Sequence, residues 1–255
     1  AGMRTRAERR GDGWVLNGQK VYTTSAHFAD WYWVGARTDP DAPKHHGISL
    51  FLIRMDDPGL TIQPMYTMGA ERTNAVFFDN VFVHDDYRVG DLNKGFQYIA
   101  EALDIERFSM FTFSPIRGRM ELLCDYVKTA KRDGKPLKDD PVIRQKIAQL
   151  TTELEVARVL GVRFVDAALN STKTPTVEAS HYKLYATELS RRIADATMDI
   201  VGPGAQLALR TEDAPLKGRS ESCYTYTVID TIGGGSSEVQ RNIIATRGLG
   251  LPRNF

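Results

Sequence analysis

The stretch I-G-G-G-S-S-E-V-Q-R-N-I-I-A-T-R-G-L-G-L-P-R, Ile232 to Arg253, reads as a bare loop feeding a capped helix near the end of the chain. Gly233, Gly234 and Gly235 have no Cβ and reach positive φ without steric cost. Ser236 and Ser237 are N-cap candidates, and Glu238 falls in the first turn. A helix is predicted to about Thr246, with Gly248, Gly250 and Pro252 ending it. A loop without side chains before a helix N-terminus can accept an anion or the polar edge of a flat ring. The same letters also describe an ordinary glycine-rich turn before a capped helix. Its combination with Tyr22–Ser25 and Asp104–Arg107 decides between the two.

Upstream of this stretch the pattern is helical as far back as about Lys94. Phe96, Ile99, Ala100, Leu103, Phe108 and Phe111 recur at helical spacing. Pro115 and Gly118 predict a kink or break before the helix resumes through Leu122, Leu123 and Val127. Lys131–Pro141 is a polar loop with turn signals at Asp133-Gly134 and Asp140-Pro141. Two long amphipathic helices are predicted over Val142–Leu169 and Val177–Val201, the second stopped by Gly202-Pro203-Gly204. Thr211–Gly218 reads as loop and Glu221–Ile229 as helix. Residues 1–90 read as β, with Gly13–Gly18 running into a turn and Gln19–Thr24 as the next strand. Further strands are predicted at Trp31–Thr38, Gly47–Met55, Thr61–Pro64, Ala75–Phe78 and Val81–Val83. The architecture is α+β: an antiparallel β-barrel or sandwich over 1–92, then an up-down four-helix bundle over 93–255.

The 255 residues are enough for a sizeable core, and 33 Lys plus Arg nearly balance 32 Asp plus Glu. That balance does not point to nucleic acid or an anionic membrane. No apolar run is long enough to span a bilayer. Cys124 and Cys223 do not form a disulfide framework and fit a reducing compartment. The first residues do not read as a signal peptide.

Tyr22-Thr23-Thr24-Ser25 places an aromatic ring and three hydroxyls at a strand end. They either cap a turn or, with Tyr22 stacked on a flat heterocycle, bond its edge through Thr24 and nearby amides. Asp104-Ile105-Glu106-Arg107 is either a solvated charged turn or the site of a general base. In the second case Glu106 points inward with its pKa raised, in an apolar setting made by Phe108, Met110 and Phe111. His45-His46 has no companion at ligand spacing, so no metal site is expected.

Three segments together resemble the acyl-CoA dehydrogenase family of flavoproteins. Asn17–Ala26, N-G-Q-K-V-Y-T-T-S-A, is similar to the family's flavin strand K-x-W-I-T-N-A, with Tyr22 where Trp is usual. F-F-D-N-V-F-V-H followed by L-D-I-E-R matches the exit from the family's β domain into its helices. The glycine stretch is similar to the G-G-T-S-E-I-Q-R-N form of many bacterial members. The resemblance runs from residue 10 to 253. It implies FAD, with Tyr22, Thr23 and Thr24 at the flavin ring and Ser236, Ser237 and Glu238 as contacts from the last loop. Gly202, Pro203 and Gly204 resemble the loop that meets FAD of a neighbouring subunit. Asp104 and Arg107 correspond to the lining of the substrate passage, where Gly233, Gly234 and Gly235 also fall. Many members carry their catalytic glutamate in a last-loop Y-E-G-T pattern. Gly233 and Gly234 stand at its first two positions here, and the L-D-x-E-R pattern of the isovaleryl and long-chain types places the base at Glu106.

The resemblance implies α,β-dehydrogenation of an acyl-CoA thioester to the trans-2-enoyl-CoA. It further implies electron-transfer flavoprotein as acceptor, a homo-oligomer (dimer or tetramer) and, from the bacterial motif form, a cytoplasmic location. Two departures stand out. The family's R-x-x-F-G is represented by Ala130-Lys131-Arg132-Asp133-Gly134, without the arginine and phenylalanine that help hold FAD across subunits. The N-terminal helical domain and the segment resembling T-E-P-x-x-G-S-D have no counterpart in the sequence, which implies a longer whole protein. The first departure fits a non-catalytic partner subunit of a heteromeric dehydrogenase. Acyl-CoA oxidases and flavin monooxygenases share the resemblance too.

Overall fold

The computed structural model of the chain describes residues 2–69, 71–110, 113–172 and 174–252; the side chains at 105 and 107–110 lie outside the described set. It divides into two compact units, Ala1–Ala102 and Leu103–Phe255.

The first unit is built on seven strands: β1 (Arg6–Arg10), β2 (Gly13–Lys20), β3 (Trp31–Arg37), β4 (Ile48–Arg54), β5 (Leu60–Tyr66), β6 (Arg72–His84) and β7 (Arg88–Val89). Their order in the sheet is β5-β6-β2-β1-β3-β4-β7. Every neighbouring pair is antiparallel except β1 with β3, which meet in parallel at Arg6 and Arg37 alone. The two leaves so joined enclose one core, with Leu16, Val34, Phe51, Val76 and Val81 among its buried residues. This is the sandwich form of the expected β domain.

Two strand boundaries differ from the sequence reading, for one reason. The turn expected at Asn17-Gly18 is absent, and β2 runs through it; the two short strands expected at Ala75–Phe78 and Val81–Val83 are one strand, β6. Between Leu16↔Val81 and Gly18↔Phe78 the register shifts by a bulge. Asn80 sits there at φ 52, its N–H donating to Asn17 Oδ1 at 2.9 Å. Turn-forming residues here make a bulge within a continuing pair of strands. The strand expected over Gln19–Thr24 ends at Lys20.

Six helices follow: α1 (Gly95–Met110), α2 (Phe113–Thr129), α3 (Pro141–Asn170), α4 (Thr176–Val201), α5 (Arg219–Asp230) and α6 (Ser237–Ile243). Pro115 and Gly118, where a kink or break is expected, both lie inside α2, and residues 111 and 112 between α1 and α2 fall outside the described set. Phe111 falls outside the described residues. The expected loop 131–141 contains a small hairpin, Lys131–Arg132 against Lys135–Pro136. Its turn is the Asp133-Gly134 pair, at φ 52 and 77. The last helix continues past Thr246 as a wider turn over Ile244–Gly248, Leu249 N donating to Ile244 O at 3.0 Å.

α2, α3 and α4 pack around Met120, Leu150, Ala157, Tyr182, Leu189 and Ile193. α5 and α6 pack along α4. Full burial of a leucine such as Leu189 contributes about 1.5–3 kcal/mol, so the α4 seam is the main source of cohesion in this unit.

Candidate functional site

In the β unit the chain leaves β2 at Lys20 and reverses at Tyr22, whose φ is 59. The Tyr22 ring is 73% exposed, and no aromatic contact is made by it among the described residues. The turn after it is held by Asn74, which is fully buried. Thr23 N–H donates to Asn74 O at 2.9 Å, and Asn74 Nδ2 returns a bond to Thr23 O at 2.9 Å. The Thr23 hydroxyl pairs with the Tyr32 hydroxyl at 2.9 Å, and Thr24 Oγ1 lies 3.5 Å from Thr73 Oγ1. Burial pushes the Tyr32 phenol up from its usual range. The amide of Thr24 donates to Tyr22 O at 3.0 Å. Of the main-chain amides near the expected ring edge, that of Thr23 is engaged by β6 and that of Thr24 by the turn itself. The open features are the Tyr22 face and the remaining hydroxyl lone pairs.

In the helical unit, Asp104 of α1 accepts from Thr176 Oγ1, the first residue of α4, at 2.7 Å. Two residues further along a helix is a rotation of about 200°, so Glu106 faces away from that contact. Glu106 is exposed, which corrects the expectation of a buried carboxylate. The expected apolar setting of Phe108, Met110 and Phe111, and the side chain of Arg107, lie outside the described residues.

The last loop is the best-built part of the site. Ser236 caps α6, its hydroxyl accepting from Val239 N at 3.4 Å, and Glu238 stands in the first turn as expected. A hydrogen bond from Ser236 holds the Glu238 carboxyl below its usual range. Gly233 N–H donates to Ile229 O at 2.8 Å and Ser237 N–H to Thr231 O at 3.1 Å, closing the loop at both ends. Beneath it lie residues that sequence reading did not single out. Lys183 of α4 donates to Asp230 O at 3.0 Å and to Gly235 O at 2.8 Å. Gln240 Nε2 donates to Gly234 O at 3.0 Å and Gly235 O at 3.2 Å. The Asp230 carboxylate meets Arg119 of α2 at 3.2 Å and Ser190 of α4 at 3.3 Å. Burial raises its pKa, and Arg119 opposes the rise. The legible signal was Lys183 itself: it lies between Ala179 and Ala186 on the apolar stripe of α4, where a solvated lysine does not belong.

Gly202 ends α4 at φ 79, its N–H on Met198 O at 2.9 Å. Gly204 packs so closely on Pro215 that a Cβ there would lie 2.9 Å from its Cγ. Arg132 turns back onto this end of α4, donating to Ile200 O at 2.6 Å. Among the described residues no group of three or more His, Cys, Asp or Glu could hold a metal ion, and no helix is long and apolar enough to cross a membrane.

Comparison with known proteins adds the following. Residues 93–249 match the family described as "Acyl-CoA dehydrogenase, C-terminal domain", and residues 1–81 match "Acyl-CoA dehydrogenase, middle domain". The chain is 36% identical to "Acyl-CoA dehydrogenase IpdE1" of Mycobacterium tuberculosis, over 99% of this chain and 63% of that one. Among solved structures it is similar to "Tcur3481-Tcur3483 steroid ACAD", with a TM-score of 0.92 and 30% identity over 99% of this chain and 65% of that one. It is also similar to the "ChsE4-ChsE5 complex from Mycobacterium tuberculosis", with a TM-score of 0.89 and 33% identity over 99% of this chain and 65% of that one. The chain thus spans less than two thirds of the length of each relative.

Proposed function

Because the chain belongs to the acyl-CoA dehydrogenase family, we propose that the whole protein oxidises an acyl-CoA thioester to the trans-2-enoyl-CoA, with FAD as cofactor. The observation that carries the proposal is the last loop: three residues without side chains, closed at both ends and followed by a capped helix. A loop with that donor set fits the polar edge of a flat ring, and the exposed Tyr22 face fits ring stacking. Tyr22, Thr23 and Thr24 are the flavin contacts proposed in the β unit; Ser236, Ser237 and Glu238 are those proposed in the helical unit. Gly202, Pro203 and Gly204 would meet the flavin of a neighbouring subunit.

Bound flavin supplies the acceptor for the hydride that leaves the β-carbon. Glu106, exposed on α1, takes the proton from the α-carbon. Main-chain N–H donors polarise the thioester carbonyl, which makes the α-proton acidic. Asp104 and Arg107 line the passage for the CoA ester. Gly233, Gly234 and Gly235 leave room beside the acyl chain, so a bulky or branched acyl group is the substrate class. The name of the steroid relative points the same way. Electron-transfer flavoprotein is the acceptor, the assembly is a homo-oligomer, and the location is the cytoplasm.

The test is an anaerobic absorbance titration of the full-length protein with straight, branched and polycyclic acyl-CoAs. Bleaching by the bulky esters, and a loss of roughly two to four orders of magnitude in reduction rate in Glu106→Gln, are expected. Normal reduction of the Gln variant would remove Glu106 from the role.

A second reading has its own support: the chain as the non-catalytic partner in a heteromeric dehydrogenase. Arg132, the arginine nearest the position where the family holds FAD across subunits, is engaged at the end of α4. A relative solved as a complex of two differently named chains is in keeping with this. Flavin stoichiometry of the intact protein separates the two readings, since a full complement of bound flavin that bleaches excludes the second.

A further inference from the structure

We infer that Lys183, assisted by Gln240, is the positioning residue of the Gly233–Ser236 loop. This deepens the proposed function and rests on the reading that the loop meets flavin and acyl group.

Lys183 and Gln240 are both fully buried. Burying an ammonium is costly unless it is hydrogen-bonded, so its bonds show what the cost secures. Lys183 bonds the main-chain carbonyls of Asp230, the last residue of α5, and of Gly235, the last glycine of the loop. Gln240 grips the carbonyls of Gly234 and Gly235 from α6. The Asp230 carboxylate is engaged by Arg119 and Ser190, so α2, α4, α5 and α6 converge under one short loop.

The loop itself cannot supply this order. Its glycines have no side chains to pack, and fixing each backbone costs about 1–2 kcal/mol. No peptide bond among the described residues is cis, and in a trans peptide the C=O and the following N–H point in opposite directions. Drawing the Gly234 and Gly235 carbonyls inward therefore turns the Gly235 and Ser236 amides outward. Neither amide donates to another group among the described residues. Lys183 thus fixes which way the loop presents its donors, and its charge polarises the Gly235–Ser236 peptide from behind.

The test uses the full-length protein and Lys183→Met, which keeps an unbranched apolar stem to about the position of Cε and removes the donor. In amide exchange, the protected amides of Gly233 and Ser237 are expected to exchange at least about tenfold faster, while α3 is unchanged. In turnover, kcat is expected to fall about 10- to 100-fold with KM moving less than about threefold, because a misplaced loop costs orientation in the transition state. Loop exchange equal to that of the parent overturns the inference, and so does faster exchange with kcat within about twofold of the parent. A uniform rise in exchange across all helices also overturns it, by marking Lys183 as a general stabiliser. Should Lys183→Met fail to fold, Gln240→Met carries the same measurements and criteria. If the parent protein holds no flavin, the dehydrogenase reading fails by itself. Loop exchange, which needs no flavin, then still decides whether Lys183 positions the loop.

Discussion

Gly235→Ala probes the loop most directly. The residue sits at φ +99, and a Cβ built there lies 2.6 Å from Gln240 Nε2. Alanine in that backbone conformation costs about 1–2 kcal/mol by itself. The added methyl must also displace the Gln240 amide, which is fully buried and bonded to Gly234 O at 3.0 Å and Gly235 O at 3.2 Å. Losing those two bonds costs about 1 kcal/mol each, so the total is about 3–4 kcal/mol. In a protein of this size that lowers the melting temperature by roughly 6–16 °C. The control is Gly134→Ala in the hairpin turn, at φ +77 with nothing within 4 Å of the new Cβ. It carries the backbone cost alone, about 1–2 kcal/mol. Scanning calorimetry of the full-length protein and both variants measures the difference. Equal melting temperatures for the two variants would refute the reasoning, because the Gln240 amide would then move without loss.

Arg119→Met leaves the mostly buried Asp230 carboxylate without its ion-pair partner, with Ser190 still on it, and is expected to destabilise by about 3–5 kcal/mol in urea unfolding, with Arg119→Met/Asp230→Leu losing less. Burial holds the Asp230 pKa above its usual value, so the folded state binds that proton more tightly than the unfolded one. Its contribution to stability therefore falls as pH rises through the ordinary carboxylate range to the folded pKa, and the fall should be steeper in Arg119→Met. Lys20 is pulled by burial from 10.5 to about 8, so between those values the unfolded state binds more protons and stability rises with pH. Lys20→Met should flatten that slope and add about 1–3 kcal/mol at pH 7; an unchanged urea midpoint would refute it. Arg132→Ala should cost about 0.5–1 kcal/mol at the end of α4 without changing flavin content, and a drop in flavin per chain would show that this arginine reaches the cofactor after all.

Local patterns carried far. Helical periodicity located α3 and α4 to within a residue at each end, because Asp140-Pro141 and Gly202 are hard stops set by side-chain capping and by a backbone that only glycine adopts readily. Ser236, Ser237 and Glu238 were legible as a cap because capping is decided within four residues. Asn17-Gly18 misled as a turn signal, because the same residues serve a bulge when the partner strand continues, and only strand pairing tells the two apart.

The sequence by itself determined the class of elements, their order, the family motifs and the caps, all of which are set by neighbours along the chain. Tertiary structure alone decided that Glu106 faces away from the Asp104–Thr176 contact, that the Thr23 and Thr24 amides are engaged, and that Lys183, Asp230 and Gln240 converge beneath the glycine loop. Those outcomes depend on which distant groups satisfy a buried donor or acceptor. Such partners are separated by tens of residues and chosen by packing, so no local pattern could name them.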